Sequence, residues 1–125
     1  MLGWCISVCR QNDKGTLPAT DSTPLGTQLA TWQTGLGGLD WLNALVKVGK
    51  AVDLGGNGYP CRYTATAEHL IPQIIDAPPG ARLTWSAGPN DVLTDKWEGK
   101  TVIDRAAAAD CRFGEWLIVE AWDES

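Results

Sequence analysis

At 125 residues the chain fits one domain and leaves little room for two, and a chain of this size buries roughly two-thirds of its unfolded surface, enough for a core without metal or disulfide support. An apolar content of 44% and a charged content of 20% exclude a disordered chain. The net charge of −5 argues against binding to a phosphate backbone.

The acidity is unevenly placed. Residues 1–62 carry a net +1 and residues 63–125 a net −6. An acidic half suits a partner with a basic surface, which the field would steer into contact. Residues 1–10 show no basic n-region, and the apolar run from Leu2 to Val8 has no small-residue cleavage site after it. No segment reaches the about 20 apolar residues that a membrane helix needs. The expected location is therefore cytoplasmic, with no membrane partner. Cys5, Cys9, Cys61 and Cys111 are then expected as free thiols.

Taken in chain order, Leu2–Arg10 comes first. Leu2, Trp4, Ile6 and Val8 alternate with the smaller Gly3, Cys5, Ser7 and Cys9, which predicts a strand apolar on both faces and central in a sheet. On such a strand Cys5 and Cys9 stand about 13 Å apart, beyond the about 7 Å that a disulfide spans between Cα atoms. Residues 11–23 are polar and rich in turn formers, and predict a long loop that is mobile or covers a site.

Thr23–Pro24 has the form of a helix start, and Leu25, Leu29, Trp32 and Leu36 follow at helical spacing. Gly35, Gly37 and Gly38 then separate this segment from a second predicted helix, which begins near Leu39–Asp40 and ends at Gly49, so the two would form a helical hairpin or corner. Ala51–Leu54 and Tyr59–Thr64 flank the turn Gly55–Gly58 and predict a β-hairpin. Thr66 is placed to cap a helix running to Asp76, with Leu70, Ile71, Ile74 and Ile75 inward and Pro72 as a kink or near the true start. Arg82–Ser86 reads as a strand and Gly88–Asp91 as a turn. Thr101–Ala109 reads as a short helix with Thr101 and Asp104 in capping-box spacing. Glu115–Trp122 is the plainest strand pattern in the chain. The expected architecture is one α+β domain over residues 1–125. A central antiparallel or mixed sheet would contain both terminal strands, packed by three or four short helices.

Two candidate sites emerge. Seven tryptophans are present against two tyrosines and one phenylalanine. Trp4, Trp32 and Trp41 lie on apolar faces and suit the core. Trp116 and Trp122 share a strand face with Glu120, beside the acidic tail Asp123–Ser125. Two indoles flanking a carboxylate would serve a basic protein surface through cation–π and charge contacts, with Trp85 and Trp97 extending the patch. The favoured function is a non-enzymatic protein-binding module of inhibitor or adaptor kind. The alternative is a small enzyme or ligand binder using Cys61 as a thiolate, His69 as its base and Asp53 as the orienting acid, near the Gly55–Gly58 turn. A homodimer through the Trp face is a third reading. No cofactor is implied. The single closely spaced cysteine pair, Cys5 and Cys9, lacks the second pair that a structural zinc site requires, so no metal is expected.

Overall fold

A computed structural model describes residues 3–12, 15–35, 38–56, 60–74 and 102–123. Within them lie β1 (Trp4–Gln11), β2 (Leu25–Thr34), α1 (Asp40–Lys47), β3 (Ala51–Gly55), β4 (Cys61–Thr66), α2 (Ala67–Ile74), β5 (Val102–Ile103), α3 (Arg105–Ala109) and β6 (Trp116–Asp123). The strands form one six-stranded sheet in the order β3-β4-β6-β1-β2-β5. Every pairing in it is antiparallel. The chain's terminal strands are neighbours at its centre, joined in unbroken register from Trp4 opposite Asp123 to Arg10 opposite Leu117. The result is an α+β arrangement weighted toward strands, with three short helices among the described residues.

The alternation in β1 and β6 sorts their side chains as the sequence implies. Ile6, Val8, Leu117, Val119 and Ala121 are fully buried on one face. Leu42 and Leu45 of α1, and Leu70 and Ile74 of α2, close over that face and complete the core. Trp32 is buried there and stacks obliquely on the half-buried Trp41, with ring centroids 6.0 Å apart; Trp4 packs against the same cluster.

The segment beginning at Thr23–Pro24 is a strand and not the expected helix, so no helical hairpin forms. The burial pattern is that of a strand interrupted by one bulge. Ala30, Trp32 and Thr34 are buried and alternate with the half-buried Thr31 and Gln33, which is strand periodicity. Leu29 is an extra residue at a β-bulge: Val8 pairs with Ala30 and Cys9 with Gln28, so Leu29 faces no partner, yet it is completely buried. That insertion brings Leu29 and Trp32 to helical spacing within a strand.

α1 begins at Asp40 as expected and ends in a Schellman motif. Gly49 takes φ +81°, its amide donates to the Val46 carbonyl, and the Lys50 amide donates to the Leu45 carbonyl. The hairpin β3–β4 also forms, with Gly55 and Gly56 at φ +90° and +118°; the remainder of that turn lies outside the described residues.

α2 contains Pro72 within its span. Its first amides are satisfied from elsewhere in the chain: Ala67 donates to the Glu115 carbonyl (2.8 Å) and Glu68 to that of Phe113 (3.0 Å). The helix expected from Thr101 begins later. Val102–Ile103, both β-branched, pair with Thr31 and Ala30 at the sheet edge. Asp104 is itself the N-cap, its carboxylate accepting from the Ala107 amide at 2.9 Å. The strand at Arg82–Ser86 and the turn at Gly88–Asp91 lie outside the described residues.

Gly15 opens the loop from β1 to β2. It adopts φ +65°, and a Cβ placed there would stand 2.8 Å from Glu115 Cγ and 3.0 Å from the Trp116 carbonyl oxygen. Gly15→Ala is expected to lower stability by about 1–3 kcal/mol, from left-handed strain plus the clash, measured as a shifted urea midpoint at constant m-value.

Candidate functional site

The sheet face opposite the helices carries the side chains of Cys5, Ser7 and Cys9 from β1, Arg62, Thr64 and Thr66 from β4, and Trp116, Ile118, Glu120 and Trp122 from β6. Residues 15–24 cross part of this face as a strap held by polar contacts along its length. At its start the Trp116 amide donates to the Gly15 carbonyl (2.8 Å), and the Gln11 side-chain amide donates to the carbonyls of Leu17 (2.7 Å) and Trp116 (3.1 Å). In the middle the Ala19 amide donates to Thr64 Oγ1, whose hydroxyl donates in turn to the Leu117 carbonyl. Thr20 and Thr23 close a hydroxyl-linked turn at the far end, where the Thr20 amide donates to Thr23 Oγ1 at 2.8 Å. The polar segment from 15 to 24 therefore lies against the sheet face, anchored to β4 and β6.

Arg62 is the chief anchor. Its Nε and Nη2 donate to Glu120 Oε2 at 3.2 and 2.7 Å, and its Nη1 donates to the carbonyls of Thr20 and Thr23 at 3.0 and 2.8 Å. The two side chains retain only 14% and 11% of their exposure. Arg62 and Glu120 are opposed across the β4–β6 ladder, so backbone register delivers the pair.

Glu120 thus departs from the role expected of it. It is an internal strut and offers a partner no open carboxylate. Trp116 is half-buried beside the start of the strap, while Trp122 is 43% exposed. Of the expected patch the structure leaves Trp122 open at the unstrapped end of the face, opposite Cys5 of β1. Asp123 is half-buried, and Trp85 and Trp97 lie outside the described residues.

A second arginine–glutamate pair lies at the other end of the sheet. Arg10 Nε and Nη2 grip Glu115 Oε2 and Oε1 at 2.8 and 2.9 Å, and Nη1 reaches Asp110 at 3.0 Å. These carboxylates hold the guanidinium firmly charged. The Glu115 side chain is 4% exposed. The pair fixes the turn whose carbonyls receive the first amides of α2.

The residues of the alternative catalytic reading do not converge. Cys61 opens β4 and packs against the core, whereas His69 follows the opposite end of that strand in α2. Five strand steps, about 17 Å, separate Cys61 from Thr66 alone. His69 Nδ1 shares a 3.1 Å hydrogen bond with Thr66 Oγ1, and Asp53 accepts from the Gly55 amide at 2.7 Å, as a turn-former does. None of the four cysteines is in a disulfide. Among the described residues no cluster of His, Cys, Asp or Glu could hold a metal ion, and no helix is long and apolar enough to cross a membrane.

Searches of family models, curated proteins and solved structures find no match to this chain.

Arg62 escapes a reading of local motifs because its partner is 58 residues away. One signal was available: Glu120 interrupts the apolar run Leu117–Ala121, and a carboxylate in a buried strand demands a cation. Arg62→Met and Glu120→Leu are each expected to cost about 3 kcal/mol, because each strands a buried charge. The double variant should recover most of that loss, as read by a double-mutant cycle in urea. Arg62→Met should also expose residues 15–24 to a broad-specificity protease.

Cys9 lies under the same pair and is 4% exposed. Burial, and secondarily the Glu120 charge, push its thiol from the usual 9 up to about 11. The raised value means that the folded chain holds the proton after the unfolded chain has lost it. The contribution is complete below about pH 9 and is lost as pH climbs to about 11. Stability measured across that interval should fall more steeply in the native chain than in Cys9→Ala. In native alkylation Cys9 should react last of the four thiols.

Proposed function

We propose that the protein is a cytoplasmic, non-enzymatic protein-binding module whose contact surface is centred on Trp122. One observation carries this reading: a tryptophan on an inner strand of the sheet keeps 43% of its surface in solvent. An antiparallel sheet can leave one face to water; here the strap stops at the row of Arg62 and Glu120, one row short, and the indole beyond it stays open. A rigid indole on a sheet supported from behind by Ala121 and Ile6 is the kind of anchor that dominates binding interfaces.

The charge of −5 supports a basic partner. Electrostatic steering would come from the exposed carboxylates, such as Asp21, Asp53 and Asp110. Glu120 serves the surface indirectly, by holding the strap that borders it.

Trp122→Ala should therefore fold normally and lose affinity by about 30-fold or more, the loss expected of a hot-spot aromatic. Trp122→Phe should keep part of the affinity. The measurement is quantitative co-purification with each variant, with Leu17→Ala as a control for an exposed apolar residue elsewhere. Equal recovery of every partner by native chain and Trp122→Ala would remove Trp122 from the site.

A further inference from the structure

We propose that two copies of this chain associate about a two-fold axis, each seating Phe113 in the other's groove between α2 and α3. The groove has a volume of about 410 Å³, and Ala67, Ile71, Pro72, Ala108 and Ala109 supply most of its walls. Phe113 stands on its border with 80% of its surface exposed, more than any other large apolar residue described. The ring is not on a loose loop. Its carbonyl accepts from the Glu68 amide, and two residues later Glu115 is locked to Arg10.

A protruding ring and an apolar hollow on one patch are what a two-fold contact requires, since each copy then gives what the other lacks. Charge points to a second copy as the occupant. Glu68, 52% exposed, forms one wall of the groove, and the exposed Arg112 is the immediate neighbour of Phe113. Within one chain these two make no salt bridge with each other; Glu68 Oε1 instead lies 3.9 Å from His69 Nε2. When Phe113 enters the partner's groove, Arg112 is carried toward the partner's Glu68, and the symmetry forms the contact twice. A uniformly basic partner would leave Arg112 opposed by like charge, and a uniformly acidic one would do the same to Glu68. The net charge of −5 on each copy opposes association, so the dimer should form at micromolar concentrations or above.

Sedimentation equilibrium of the full chain, loaded from about 10 µM to 1 mM, should show the mass rising from 13.4 kDa toward twice that value. Phe113→Ser alters an exposed side chain and should fold normally; it should weaken the dimer about 30-fold or more. Glu68→Arg and Arg112→Glu should each weaken it, and the two together should restore it. A mass of 13.4 kDa at every loading, which would leave the groove to some other occupant, overturns the proposal. So does a dimer indifferent to Phe113→Ser, or failure of the charge swap to restore association. Trp122 lies at the other end of β6, so Trp122→Ala should leave the dimer intact and the two surfaces can fail independently.

Discussion

The pairing of β1 with β6 is the constraint on which the structure rests. It joins segments more than 100 residues apart in continuous antiparallel register. The entropy of closing so long a loop has to be met by burial, and both strands supply it, since the pairing brings Ile6, Val8, Val119 and Ala121 together under the helices. Once β6 is in place it presents a second edge to β4, and the hairpin β3–β4 extends the sheet from there. Both arginine–glutamate pairs depend on this seam. One links β1 to the turn entering β6, and the other links β6 to β4.

Those two pairs divide the work of organising everything outside the sheet. Arg10 and Glu115 fix the turn that satisfies the first amides of α2, which sets the helix against the core face. Arg62 and Glu120 act on the opposite face, where the guanidinium joins a strand carboxylate to two strap carbonyls. Buried ion pairs commonly yield less net stability than apolar replacements of the same shape. What Arg62 adds is position, because a strap of hydroxyls, prolines and glycine has few apolar groups with which to hold itself down. The strap's extent in turn decides what the face exposes. It covers the rows of Thr64 and Arg62 and leaves the row of Trp122 open. The same economy is visible at the far end, where the turn locked by Arg10 presents Phe113 to solvent beside an apolar groove.

What the sequence determined by itself was local. Alternation over Leu2–Arg10 and Glu115–Trp122 specified two strands and sorted their side chains onto two faces, because the side-chain period of a strand depends only on the backbone. The spacing of Leu42 and Leu45, with glycine following the last turn, specified α1, and the glycine run after Leu54 specified a hairpin. The tertiary structure decided the rest. Leu29 is buried at a bulge that exists only because β1 lies alongside, so a strand carried helical spacing in its sequence. Cys61 and His69, eight positions apart, were separated by the length of β4. Glu120 was turned from a surface charge into a strut by an arginine whose nearness only sheet register creates. Exposure, on which every binding surface depends, belongs to the packed molecule: Trp32 and Trp122 are the same residue type on strands of one sheet, and only what lies across each of them makes one core and the other surface.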